Sequence, residues 1–328
     1  GAALATGRPA VLACTSGTAA VNFHPAVVEA DHAHVPMIVC TADRPPELQG
    51  VGAPQTIDQH GLYGASVRWE HDPGVADGGS AGRWRDVAAR SVSMALGPVP
   101  GPVHVNLPFR EPLVGSAGDL PSRTSSTMPP GGPARADVAL APLANVAAAG
   151  RGVVLAGWGV DDPDAVTRLA ARLGWPVLAD PRSGIRSAGG AVVLRHADSV
   201  LRHGPTAARL RPAAVLRLGD PPSSKVVNAW VASSGAIVVG VSPSGRTADP
   251  DRVVSAQLAL PASTACAAVP DAPMDGAWTA AWASVTRAAT TAMDGALAAS
   301  EWLSEPLADR HSPPTHPTSR SDLQLFPT

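Results

Sequence analysis

Lysine is nearly missing from this sequence: one residue, Lys225, stands among 25 basic side chains, and the rest are arginine. No charge-based function needs such a skew, so it reads as the codon bias of a GC-rich genome. A net charge of −2 and a pI near 6.6 leave no basic footprint for nucleic acid or an anionic membrane. Cysteine is sparse too. Cys14, Cys40 and Cys266 lie far apart, match no metal-ligand spacing, and suit a reducing cytosol better than a disulfide framework. Cys14 and Cys40 sit inside apolar runs, where a thiol behaves as a small hydrophobe. No run of about eighteen apolar residues occurs, which excludes a helical membrane span. The opening Gly1-Ala2-Ala3-Leu4-Ala5 has neither a basic stretch nor an initiator Met. These absences make a cytoplasmic protein the expectation, on a chain that opens within a helix and is incomplete.

What is present is apolar surface: 45% of the 328 residues are hydrophobic, enough for about two domains with cores of their own. Apolar runs at 9–14, 35–41 and 102–107 alternate with helical stretches at 19–30 and 83–96. Continuous apolar runs alternating with helices predict a parallel sheet covered on both faces. Residues 115–135 are rich in Ser, Pro and Gly and read as a linker. A second unit of the same kind follows, with strands at 151–157, 176–180, 213–219 and 236–240 and helices at 162–173, capped by Asp162, and 223–233. The fold class is therefore α/β, with two doubly wound parallel-sheet domains, over 1–114 and 136–265. A helical segment at 266–303 carries Trp278 and Trp282 on one face. The last stretch, 304–328, is proline-rich and aperiodic, and is expected to be disordered or out of frame.

Three loops, two of them at predicted strand ends, carry residues with chemistry, and each has an ordinary reading. Thr15-Ser16-Gly17-Thr18 follows the first strand. There, hydroxyls and free backbone N–H groups face a ligand crevice, and Gly17 admits a flat ring or a phosphate close to the backbone. The ordinary reading is a helix cap supplied by Ser16 or Thr18. Arg44, in Thr41-Ala42-Asp43-Arg44-Pro45-Pro46-Glu47-Leu48, can grip a carboxylate with a planar fork, or simply bridge to Asp43 or Glu47 at the surface. In Gln55-Thr56-Ile57-Asp58-Gln59, Gln55 or Gln59 can hydrogen-bond a substrate carbonyl, or stand as a solvated loop amide.

Taken in order, these loops form a pattern. Thr15-Ser16-Gly17-Thr18-Ala19, Pro25-Ala26-Val27-Val28-Glu29-Ala30, the Arg44 loop and Gln55-Thr56-Ile57-Asp58-Gln59 come first. Gly101-Pro102-Val103-His104-Val105-Asn106-Leu107-Pro108-Phe109-Arg110-Glu111-Pro112-Leu113 follows them. In order and spacing, the sequence resembles the 2-succinyl-5-enolpyruvyl-6-hydroxy-3-cyclohexene-1-carboxylate synthase family, thiamine-diphosphate enzymes of menaquinone biosynthesis. The likeness is dense over 1–114 and looser beyond, where Leu216-Arg217-Leu218-Gly219-Asp220-Pro221-Pro222-Ser223-Ser224-Lys225 looks like the family's central domain.

The resemblance implies a pyrimidine-binding domain and a central domain of a thiamine-diphosphate transferase. Its reaction decarboxylates 2-oxoglutarate and adds the resulting succinyl-semialdehyde carbanion to isochorismate. It also implies thiamine diphosphate and Mg²⁺ as cofactors and a homodimer or homotetramer. Ser16, Gly17 and Thr18 are implied on the cofactor side, Arg44 on a substrate carboxylate, and Gln55 as the catalytic residue beside the reacting centre. Pro54 departs from the family, which usually carries Asn there. The family's cofactor-activating Glu falls before Gly1, and its magnesium motif belongs to a third domain. Gly219-Asp220 is followed by Pro221 and does not make that motif, so no metal ligand is assigned and the chain alone is expected to be inactive. The alternative reading is a non-catalytic protein of two such domains that binds an anion or a nucleotide. Gly157-Trp158-Gly159 lacks the third Gly of a dinucleotide fingerprint and reads as a tight turn.

Overall fold

A computed structural model of the protein describes residues 1–77, 81–114, 139–187, 192–246 and 248–299. The linker and the tail considered above fall outside them, the last residues of the linker and of the helical segment included. The chain divides into two compact units, Gly1–Ala136 and Asp137–Thr328. The first contains α1 (Ala2–Thr6), β1 (Ala10–Cys14), α2 (Thr18–Val21), α3 (His24–His32), β2 (Met37–Asp43), β3 (Glu70–His71), α4 (Ala81–Ala95) and β4 (Pro102–Pro108). Its four strands are all parallel, in the order β1-β2-β4-β3. The register aligns Cys14 with Thr41 and Thr41 with Asn106, one row across the carboxyl ends of three strands.

The expected single helix over 19–30 is two helices, broken at Asn22-Phe23. Pro25 is the cause. It has no N–H to give and its ring clashes with the carbonyl four residues back, so it sits in the first turn of α3 and a new helix starts there.

The second unit contains α5 (Ala141–Ala148), β5 (Gly152–Ala156), α6 (Pro163–Leu173), β6 (Val177–Ala179), β7 (Val193–Leu194), α7 (Ala197–Leu201), α8 (Gly204–Arg209), β8 (Ala214–Leu218), α9 (Lys225–Ala232), β9 (Ile237–Ser242), β10 (Val254–Ala259), α10 (Ala262–Ala268) and α11 (Gly276–Ala298). Six parallel strands run in the order β10-β9-β8-β5-β6-β7. The sheet is doubly wound, with its reversal between β5 and β8. Asp162 caps α6, accepting from Ala165 N–H at 2.9 Å. Alternation along β5 sends Val154 and Ala156 into one core, with Leu143, Val166 and Leu169, and Val153 and Leu155 into the other.

That second core is closed by α11. The sequence reading sets this helix apart as its own segment, whereas Trp278 and Trp282 lie inside the core with Trp230, edge to face at 5.7 and 5.9 Å. The two indoles are not equivalent. Trp278 Nε1–H donates to the Gly152 carbonyl at 2.9 Å, whereas the buried Trp282 Nε1–H meets no acceptor among the described residues. Replacing either by Phe loses similar apolar area, but only Trp278→Phe loses a hydrogen bond. Urea denaturation should therefore show Trp278→Phe costing ~1 kcal/mol more than Trp282→Phe. The reverse order would mean that the Trp278 bond contributes nothing.

Candidate functional site

Three loops of the first unit converge on the row of strand ends. After β1 the chain turns sharply at Gly17, whose φ of 81° and ψ of −143° suit a residue without a Cβ. A Cβ there would also lie 3.1 Å from the Gln55 carbonyl oxygen. The missing side chain thus makes room for the neighbouring loop. The helix-cap reading of Ser16 or Thr18 fails. Gly17 itself stands at the N-cap of α2, and the buried Ser16 hydroxyl donates to the Gln55 carbonyl at 2.9 Å. Of the expected cofactor-side residues, Ser16 and Gly17 lie beneath the surface and Thr18 is exposed at the start of α2.

Gln55 is exposed and left-handed, with φ 59°, a conformation that costs a non-glycine residue about 1 kcal/mol or more and persists when neighbours fix it. They do. Its Nε2 donates to Thr15 Oγ1 at 2.9 Å and to the Ser16 carbonyl at 3.1 Å, and its own carbonyl takes the Ser16 proton. One residue earlier, the Pro54 carbonyl accepts from Arg44 Nη2 at 3.2 Å and Nε at 3.4 Å. The surface bridge from Arg44 to Asp43 or Glu47 does not form. Asp43 Oδ1 accepts the Arg44 backbone N–H at 2.7 Å, and Glu47 pairs with Arg110 at 2.5 and 2.8 Å. Those two hydrogen bonds hold the exposed Glu47 carboxyl down at about 2.

Gln59 is fully buried rather than a solvated loop amide, and it borders the floor of the cleft described below. Its Oε1 accepts from Gly17 N–H at 2.8 Å, and its Nε2 donates to the Ala42 carbonyl at 3.0 Å and to Asn106 Oδ1 at 2.8 Å. The motif reading missed Thr41, His104 and Asn106, all completely buried, which continue this network across β2 and β4. A signal was available: polar residues in strands that are otherwise apolar need partners once buried. Asn106 Nδ2 donates to Asp43 at 2.8 Å and to Asp72 at 3.1 Å. Burial pushes His104 below the usual imidazole range, against the pull of the Glu70 carboxylate 3.8 Å from its Nδ1, so it stays neutral. Above the network opens a cleft of about 570 Å³, lined by Asp43, Gln49, Thr56, Asp58 and His60 among others.

The second unit has its own natural crevice, where the sheet reverses between β5 and β8. It is filled by main chain. Asp220 N–H donates to the Trp158 carbonyl at 2.9 Å and Gly157 N–H to the Leu218 carbonyl at 2.9 Å. A Cβ on Gly157 or Gly219 would collide with the opposite loop at about 2 Å. Asp180, at the end of β6 where an acid can hold a ribose, accepts instead from Ser223 N–H at 2.7 Å and from Arg182. Among the described residues no cluster of three or more His, Cys, Asp or Glu could hold a metal ion, and no helix is long and apolar enough to cross a membrane.

Comparison with known proteins decides the family. Residues 1–62 match the N-terminal TPP binding domain of thiamine pyrophosphate enzymes, and residues 137–312 match the middle domain of thiamine pyrophosphate. Curated 2-succinyl-5-enolpyruvyl-6-hydroxy-3-cyclohexene-1-carboxylate synthases align across both units. The Geobacillus kaustophilus protein is 39% identical over 322 residues, 92% of this chain and 55% of its own length. That of Geobacillus thermodenitrificans is 36% identical over 319 residues, covering 90% and 53%. That of Thermobifida fusca is 40% identical over 275 residues, covering 80% and 49%. This chain belongs to that thiamine pyrophosphate enzyme family. It spans about half the length of the curated relatives it matches.

Gly17 gives the sharpest local test. Gly17→Ala should cost roughly 2 kcal/mol in urea denaturation, because strain in a glycine-only region and a crowded neighbour add. The control, Gly7→Ala, has φ 65° with nothing within 4 Å of the new Cβ, and should cost only about 1 kcal/mol. Equal losses would show that the contact with Gln55 is loose.

Proposed function

We propose that this chain supplies the pyrimidine-side and central domains of a 2-succinyl-5-enolpyruvyl-6-hydroxy-3-cyclohexene-1-carboxylate synthase, a thiamine-diphosphate-dependent transferase acting on 2-oxoglutarate and isochorismate. One observation carries the reading. The three loops whose sequence matches the family are hydrogen-bonded to one another at the carboxyl edge of a parallel sheet, where such folds bind ligands. Bound there, thiamine diphosphate supplies the electron sink that lets a 2-oxo acid lose carbon dioxide.

The chain's own residues orient and exclude. Thr15 and Thr18 present hydroxyls at the rim, over the buried Ser16-Gly17 peptide. Gln55 is held with its side chain across that rim. Arg44 is the cation for a substrate carboxylate, and its present partner is the neutral Pro54 carbonyl, which a carboxylate can displace because a charge-assisted pair is the stronger one. Pro54 fits this arrangement: only its carbonyl is used, and a proline keeps that. The rival reading, a nucleotide-binding protein, has its natural crevice occupied by the Trp158–Asp220 backbone pair.

Calorimetric titration of the chain with thiamine diphosphate and Mg²⁺ should give saturable binding, and 2-oxoglutarate should bind more weakly to Arg44→Ala. The expected fall is roughly tenfold to hundredfold, the loss of ~1.5–3 kcal/mol from a charge-assisted pair. Arg44→Lys should recover part, having the charge without the fork. Unchanged 2-oxoglutarate affinity in Arg44→Ala would remove Arg44 from the site.

A further inference from the structure

We propose that Gln59, every side-chain polar atom of which is bonded to the protein, is the positioning residue of this site and must act as a neutral amide; this rests on the functional reading above. The direction of its amide follows from the backbone. Gly17 N–H can only donate and the Ala42 carbonyl can only accept, so Oε1 faces the first and Nε2 the second. Asn106 then turns Oδ1 toward Gln59 and Nδ2 toward the Asp43 and Asp72 carboxylates. Thr41 gives its one proton to Asn106 Oδ1 at 3.0 Å, and His104 Nε2–H donates to Thr41 Oγ1 at 2.8 Å. Two main-chain groups thereby orient every hydrogen bond from Gly17 to His104.

The peptide joining Ser16 to Gly17 is gripped at both ends. Gln59 takes its N–H, and Gln55 Nε2 reaches its carbonyl at 3.1 Å. If that peptide rotates, Gln55 loses its anchor and its own left-handed turn loses support. Gln59 therefore sets where Gln55 points, through one peptide plane.

Gln59→Glu isolates this role because it keeps the shape and removes a donor. One carboxylate oxygen would still accept from Gly17, but the other would face the Ala42 carbonyl and Asn106 Oδ1, both acceptors. Only the protonated acid supplies the missing proton, so its folded pKa is raised above the ordinary carboxylate value of about 4.3. A raised pKa means that the native arrangement is intact below the unfolded value and is lost as pH rises through the folded one.

The experiment follows the protection of the Gly17 amide by hydrogen exchange, and thiamine diphosphate affinity by titration, in the full chain. At about pH 8, where the introduced acid is charged, Gln59→Glu should lose at least tenfold in both. Both should return toward the parent as pH falls to about 5, with no such recovery in Gln59→Leu, which is defective throughout. Parent-like protection and affinity in Gln59→Glu at the higher pH would overturn the proposal. So would a defect that does not move with pH, or lost stability in Gln59→Leu with the folded fraction binding normally. If Gln59→Glu unfolds at the higher pH, its protection is read at successively lower pH, and Gln59→Asn supplies the second test. That variant keeps a neutral amide one carbon short, and should lose Gly17 protection by the same factor at every pH. A parent chain that binds no thiamine diphosphate would defeat the functional reading alone, since Gly17 protection still reports on Gln59.

Discussion

A single buried amide ties the first unit's functional edge together. Strand ends in a parallel sheet release the chain in loops that have no ladder to hold them, so something must fix the loop after β1 against the connection that follows β2. Gln59, in that connection, does this with one side chain, bonding the loop after β1 and the strands β2 and β4 at once. Its partners Gly17, Thr41 and Asn106 are themselves buried, which makes the network stiff: removing one member leaves an unpaired polar group costing about 1–3 kcal/mol. The left-handed Gln55 and the glycine-only backbone at Gly17 are tolerable because this network over-determines them.

The second unit solves the same problem in the opposite way. Its crevice at the sheet reversal is where a doubly wound fold usually admits a nucleotide. Here glycines at 157 and 219 let the two loops meet backbone to backbone, and Asp180 turns its carboxylate inward to the Ser223 N–H. The bonds from Ser223 and Arg182 outweigh desolvation and keep that carboxyl below its ordinary value, so Asp180 supports the closed crevice down to acid pH. The crevice is packed main chain to main chain, and α11 with its tryptophans closes the core on one face of the sheet.

Much of this was legible from sequence, for identifiable reasons. The apolar runs gave β2, β4, β5 and β8, because strands largely buried on both faces carry no polar alternation to confuse them, and they gave β1 because its alternately exposed residues are still apolar. Asp162 announced α6 by its capping chemistry. The break between α2 and α3 was written in Pro25 but lost in a helical stretch that otherwise looked continuous. β10 escaped because its half-exposed Val254-Ser255-Ala256-Gln257 follows an acidic turn and mimics a loop. In the candidate site, the motifs picked out stretches that the structure brings together but could not say which amide was inside. Gln55 and Gln59 look alike in sequence. The difference is three-dimensional: one meets the rim, and the other meets Thr41 and Asn106, which lie 18 and 47 residues away along the chain.

The charges around the cleft bear on what it can bind. Asp43 and Asp58 line it, and Asp72 lies behind Asn106, so the local field opposes a polyanion. Asp43 is already spent on Gln49, Asn106 and the Arg44 backbone, which anchors its charge without neutralising it. Arg110 is paired with Glu47 and Arg68 with Asp31. Arg44 differs from both, for its guanidinium rests on a neutral carbonyl with no carboxylate partner among the described residues. An acidic cleft beside one such cation selects for geometry over total charge. A carboxylate set on the Arg44 fork would be stabilised, whereas one set against Asp43 would be repelled, so the edge favours one orientation of an anion over the other.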